Sequence, residues 1–268
     1  MVLVLAIWVA GSAGAATLRL RRARPASSRH ANLTLRQRLH INPLITDSGT
    51  LEIEWNNLYS GYASDYSMPS TVKYTPEGST LLWGKTEYSA SFDSLEAFSD
   101  GNGGRPLHFS DRITATATTV VADLEHFDLA VAPQITSFLR SESGIRAGAT
   151  VIGRFDLGRN ALGFSGGWNG GTVASPTNPA GTLDLGLGYG RRLAADGWMK
   201  RLTPHTNFVY EKSTGVTRIR AMFEGVEYQI NDSVALDVSG QHFSVPGGNR
   251  PDHQIFVGLT VNLGRLPR

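Results

Sequence analysis

The sequence predicts an all-β protein, an antiparallel transmembrane β-barrel of about twelve strands. Three observations lead there. Segments alternate apolar with polar or small residues at a period of two. No stretch beyond the N-terminal sixteen residues approaches the roughly 20 apolar residues that a membrane helix needs. Short and long connections alternate along most of the chain, as membrane barrels require.

The alternation is clearest near the C-terminus. Ile255, Val257, Leu259, Val261 and Leu263 form one row, with Phe256, Gly258, Thr260 and Asn262 on the other. Leu183, Leu185, Leu187 and Tyr189 oppose Asp184, Gly186, Gly188 and Gly190. Phe127, Leu129, Val131, Pro133 and Ile135 oppose Asp128, Ala130, Ala132, Gln134 and Thr136. Leu162, Phe164, Gly166 and Trp168 oppose Gly163, Ser165, Gly167 and Asn169. Looser alternation marks strands around Thr86–Phe92, Ile113–Thr118, Val151–Asp156, Thr206–Glu211 and Val234–Ser239. Ile219–Ile230 reads as extended but with ambiguous phase, and Leu51–Asn57 and Ser70–Tyr74 are weaker strands.

Connections near Asp123–Glu125, Gly158–Asn160 and Asn231–Asp232 are short. Those near Leu95–Phe109, Gly170–Ala180 and Ser244–Asp252 are longer and rich in Gly, Asn, Pro and Ser. Arg191–Pro204 breaks the rule, being long where a short turn is expected. An even strand number puts both termini on one side, the periplasmic side. A soluble β-sandwich also alternates. The barrel is favoured by strand length, by a face of Gly, Ser, Thr, Asn and isolated charges, and by aromatics near strand ends. Those aromatics are Trp83, Trp168, Tyr189, Tyr210 and Tyr228.

Residues 1–16, MVLVLAIWVAGSAGAA, read as a signal peptide with Ala13-Gly14-Ala15 as a cleavage site, although no basic residue precedes the apolar core. Residues 17–46 form a basic segment expected to be disordered, and 47–268 the barrel. Arg19, Arg21, Arg22, Arg24, Arg29, Arg36 and Arg38 precede the first acidic residue, Asp47. Without those seven, 18 basic residues face 23 acidic ones, so the bulk of the chain has no basic field suited to nucleic acid. With no cysteine, disulfides and thiolate metal sites are excluded.

The segments MPSTVKYTPEG (Met68–Gly78), LTPHTNFVYEKSTG (Leu202–Gly215) and DHQIFVGLTVNLG (Asp252–Gly264) resemble outer-membrane transporters of the phenol meta-pathway type. The resemblance spans about Asn42 to Gly264. It implies a β-barrel in the bacterial outer membrane and passage of small aromatic or other hydrophobic molecules. It supplies no catalytic motif. Many such barrels finish on an aromatic residue, whereas this chain runs on through Gly264-Arg265-Leu266-Pro267-Arg268.

Chemistry-bearing patterns are few, and no cofactor or metal motif appears. Gly186-x-Gly188-x-Gly190 has the spacing of a nucleotide loop, but its glycines alternate with Leu187 and Tyr189 inside a strand. His242 and Ser244 share a strand face, as a pair does in the outer-membrane phospholipase A barrel. Catalysis would also need a group orienting the histidine. Nothing around the pair resembles that enzyme, so an enzyme is not expected. The polar rows nominate lumen-lining residues: Lys85, Glu87, Asp128, Arg154, Asp156, Asp184 and Asp237, with Asp93, Asn207 and Glu211 beside them. Such a lining either tunes passage or plugs the barrel with ion pairs. The expected partners are membrane lipids and small-molecule solutes. The expected function is a passive channel, with a closed structural or adhesive barrel as the alternative and a barrel phospholipase third.

Overall fold

The computed structural model describes residues 45–60, 66–77, 80–81, 84–97, 107–108, 112–138, 145–171, 181–193, 196–213, 219–244 and 252–265. The stretch expected to be a signal peptide and nearly all of the basic segment lie outside them. Twelve long strands run β1 (Thr50–Ser60), β2 (Tyr66–Tyr74), β3 (Gly84–Ala97), β4 (Arg112–Asp123), β5 (Phe127–Phe138) and β6 (Ile145–Leu157). They continue as β7 (Asn160–Gly171), β8 (Gly181–Arg191), β9 (Leu202–Ser213), β10 (Ile219–Asn231), β11 (Val234–Ser244) and β12 (Asp252–Arg265). Each pairs antiparallel with its neighbour in sequence, and β1 pairs with β12, with Thr50 opposite Arg265. The sheet is therefore a closed barrel of twelve strands with both ends at one rim. Closure leaves no unpaired edge, the condition for crossing a bilayer with strands. Two-residue strands Thr80–Leu81 and Leu107–His108 pair at the ends of β3.

Short turns close the rim that holds both termini. Leu157 and Asn160 pair across Gly158-Arg159. Gly158 adopts φ 78°, which glycine reaches without a β-carbon clash, and its N–H donates to Asp156 Oδ1 at 3.1 Å. Asn231 Oδ1 accepts from Ser233 N–H at 2.8 Å in the next short turn, an Asx turn. The long Arg191–Pro204 connection also lies on this rim, and a 3₁₀ turn, Trp198–Arg201, shortens it.

Burial is inverted relative to a water-soluble protein. Among the described residues the buried apolar side chains are only Ala130, Ala132, Ala235 and Phe256, while Glu52, Glu54, Lys73, Glu227 and Asp237 are buried. Leu183, Leu185, Leu187, Ile255, Val257 and Leu263 are exposed. Apolar rows point outward and polar rows inward, which is stable only if the outside is lipid. The rows follow the sequence alternation. For Ile219–Ile230 the structure settles the phase: Met222, Val226 and Ile230 face out, Glu227 and Gln229 face in. Its ambiguity has a cause, since both rows carry an acid, Glu224 outside and Glu227 inside. Thr86 lies on an outward row yet is buried, its hydroxyl 2.9 Å from that of Thr119.

The aromatic girdle differs in part from expectation. Trp168 faces out near the long-loop rim, and Tyr189 and Tyr228 face out near the short-turn rim. Trp83 lies outside the described residues. Phe127, Phe155 and Phe164 form an outward cluster near the short turns, with ring centroids 4.8, 6.3 and 6.4 Å apart. The Phe164 ring lies where a β-carbon at Gly153 would be, so the aromatic covers bare backbone.

Candidate functional site

The lumen is the only compartment that this fold sets apart from lipid, so its lining decides what the protein can do. Period-two geometry sends every second residue of each strand into it. The resulting wall has two unlike halves.

Along β5 to β8 the inward rows are mostly small: Ala130 and Ala132, Gly148 and Thr150, Gly163, Ser165 and Gly167, then Gly186 and Gly188. Backbone comes close to the lumen here. A β-carbon at Gly167 would press into the Thr150 hydroxyl, and one at Gly148 into the backbone at Trp168.

On β1, β2 and β9 to β11 several inward side chains are long, polar and bonded to one another, beside small or apolar inward residues such as Gly225 and Ala235, and on β12 Phe256 and Gly258. Glu52 and Glu54 on β1 flank Lys73 on β2, with Lys73 Nζ 3.4 Å from Glu52 Oε1 and also bonded to Glu54 Oε1. His205 Nε2 lies 2.8 Å from Asp237 Oδ2, and Ser239 Oγ donates to Asp237 Oδ1 at 3.2 Å. Glu227 stands opposite Asp237 in the β10–β11 register and is buried. Gln229 Nε2 donates to the Asn231 carbonyl at 2.5 Å. These groups are all nearer the short-turn rim, so half of the wall is filled at that level. Burying so many charges is tolerable only because they pair.

The residues nominated from sequence do not form one ring. Asp128, Arg154 and Asp156 come together: Asp128 opposes Arg154 in register, and Arg154 Nη2 lies 3.3 Å from Asp156 Oδ2. Glu87 is buried elsewhere, accepting the Thr46 N–H at 2.7 Å, while the Thr46 and Thr75 hydroxyls lie 2.6 Å apart. The chain just before β1 is thus held against the inside of β3. Lys85 is exposed at the short-turn rim, and Asp237 belongs to the histidine cluster. Asp184 alone lies towards the long-loop mouth, opposite Glu211 and near Arg146, whose guanidinium donates to Thr182 Oγ1 at 3.0 Å. Asn207 is buried on the lumen side, and the Asp93 side chain is outside the described residues.

Sequence reasoning missed Glu52, Glu54, Lys73, Arg146, His205 and Glu227. The signal was present for Glu52 and Glu54, which alternate with Leu51, Ile53 and Trp55. Lys73 and His205 sit beside Pro or in mixed segments where the period fades. Among the described inward residues the acids are Glu52, Glu54, Glu87, Asp123, Asp128, Asp156, Asp184, Glu211, Glu227 and Asp237. The bases are Lys73, Lys85, Arg146 and Arg154. Ten against four leaves the described lining acidic.

Gly186, Gly188 and Gly190 lie inside β8, pointing to the lumen, and form no loop. His242 lies on the outward row of β11, opposite Met222 and His253. The Ser244 side chain is outside the described residues. No group of three or more His, Cys, Asp or Glu suited to a metal occurs among the described residues.

A closed antiparallel barrel with an apolar exterior and a charged interior defines a transmembrane β-barrel. Solved structures share the fold. A KdgM porin superposes with a TM-score of 0.53 at 10% identity, over 80% of this chain and 99% of that chain. A NanC porin superposes with a TM-score of 0.54 at 10% identity, over 79% of this chain and 100% of that one. A KdgM porin in complex with disordered oligogalacturonate gives a TM-score of 0.52 at 11% identity, over 80% and 99%. No family model and no curated relative matches the sequence.

Proposed function

We propose that the chain is a passive outer-membrane channel for small solutes, with a path along the β5–β8 wall and a preference for cations over anions. The observation that carries it is the split lining. The buried, bonded charges of β1, β2 and β9–β11 occupy one side, while the inward rows of β5–β8 are mostly Ala, Gly, Ser and Thr, with the long side chains of Arg146 and Arg154 on β6 among them. Acids dominate the lining, and acidic rings favour cations. Oligogalacturonate, found in the KdgM porin complex, is an anionic sugar. The charge of this lumen points to a different solute class. The resemblance to the phenol meta-pathway transporters supports small aromatic molecules, uncharged or cationic, without an enzymatic step.

Reversal potentials in planar bilayers under a salt gradient test the proposal. Cation selectivity is the expected result, and anion selectivity would overturn the lining assignment. The second reading, a closed structural barrel, is favoured by the bonded Glu52–Lys73–Glu54 and His205–Asp237 groups. It requires that the inserted barrel show no conductance.

A further inference from the structure

We propose that the sector of the short-turn rim around the 3₁₀ turn binds the headgroup of an anionic phospholipid in the adjoining leaflet. The proposal rests on the membrane-barrel reading above.

Two independent features meet there. The first is charge. Arg159 in the β6–β7 turn, Arg191 at the end of β8, and Lys200 and Arg201 in the 3₁₀ turn are all exposed. The only acid between Arg191 and Arg201 is Asp196. Other short turns on this rim carry acids instead: Asp123 and Glu125 between β4 and β5, and Asp232 between β10 and β11. Apart from Lys85 on β3, the exposed basic charge described in the strand ends and turns of this rim gathers in this one sector.

The second feature is apolar exposure in the same turn. Trp198 is 67% exposed and Met199 41% exposed, on a segment that has no buried residue. A tryptophan and a methionine left open beside lysine and arginine are costly in water. They are favourable at the depth where acyl chains meet headgroups. The segment is at that depth. Arg191 follows Tyr189 on the outward row of β8, and Leu202, next after the 3₁₀ turn, stands opposite Tyr228. The turn is also anchored: Arg201 Nη1 donates to the Ile230 carbonyl at 2.9 Å, and Arg192 N–H to the Arg159 carbonyl at 2.8 Å. The cations of two connections are thereby held side by side. Guanidinium groups match a phosphodiester geometrically as well as in charge. The chemistry selected is a lipid with net negative charge, since a zwitterionic headgroup brings its own ammonium into the cluster.

The test uses the full mature barrel refolded into vesicles of phosphatidylcholine with phosphatidylglycerol. After release into mild detergent, native mass spectrometry counts the retained lipids. Phosphatidylglycerol should be retained over phosphatidylcholine by about tenfold or more, given roughly fivefold per basic residue at a charged surface. The variant carrying Arg159→Gln, Arg191→Gln and Lys200→Gln should lose that preference, and Trp198→Ala should weaken retention of both lipids. In wild type, raising salt to about 1 M, where screening acts within about 3 Å, should also lower the preference, a readout that needs no variant. Equal retention of the two lipids by wild type, or an unchanged preference in the triple variant, would overturn the proposal. A heat-modifiable gel band separates the two readings. A folded, inserted barrel without lipid preference sinks only the lipid site, whereas absence of any folded band sinks the barrel reading too.

Discussion

Lys73→Met tests whether the lumen wall on β1 and β2 is a bonded interior or a wet surface. Lys73 is 3% exposed, Glu52 0% and Glu54 2%, so water screens none of the three appreciably. The Lys73–Glu52 contact at 3.4 Å corresponds to about 5 kcal/mol of gross attraction at an effective dielectric of ~20, and Glu54 adds a second. Desolvation cancels much of this in the intact group. Methionine has nearly the same stem and no charge, so the substitution removes the attraction and leaves two carboxylates buried side by side. Breaking a buried pair in this way costs about 3–5 kcal/mol. Urea titration in phospholipid vesicles, with the folded fraction read from heat-modifiable migration, measures the loss. Adding Glu52→Gln and Glu54→Gln to Lys73→Met should recover most of it, because the like charges that remain are then gone. A cost under about 1 kcal/mol for Lys73→Met, the scale of an exposed pair, would show that water reaches the cluster and that this side of the lumen is open.

Further outcomes follow from the two faces of the wall. Leu185→Arg and Leu259→Arg, both on outward rows, should each cost about 2–4 kcal/mol near the midplane. Gly186→Ser on the inward row should be milder in the same urea assay, and equal tolerance would contradict the assigned phase. Glu224 is exposed on the outward row of β10, so Glu224→Leu should raise stability by about 1 kcal/mol, acids costing less than Arg or Lys on this face. A loss would mean that the carboxylate has a partner. Phe164→Ala uncovers Gly153 and removes the ring packed between Phe127 and Phe155. A loss of at least about 1 kcal/mol is expected, and an unchanged urea midpoint would count against the aromatic cover. Asp184→Asn should lower cation preference in reversal-potential measurements more than Asp237→Asn, because Asp237 is buried against His205 while Asp184 lies towards the long-loop mouth. The reverse order would place the selective constriction at the histidine cluster.

What the sequence determined by itself was the barrel. The period of two in β5, β7, β8 and β12 assigns each residue to lipid or lumen, and it could be read because one face had to satisfy lipid and the other could not. Chain order also implied closure, since short turns force sequential antiparallel neighbours. Phase failed on β10, where acids sit on both rows, and stayed weak on β1 and β2, where segments are short. Tertiary structure decided which inward charges meet. Period two gives the face of Asp237 but not its partner, because His205 lies 32 residues away on a strand two places round the barrel. The same holds for Lys73 with Glu52 and Glu54, and for Glu87 with Thr46. The nominated acids and bases looked like a ring because faces were known and heights were not. Register around the closed sheet fixes height, and it separates Asp184 from Asp128, Arg154 and Asp156. It also gathers the buried Glu52–Lys73–Glu54 and His205–Asp237 groups on one half of the wall, a gathering invisible strand by strand, while the β5–β8 side is lined mostly by small residues with Arg146 and Arg154 among them.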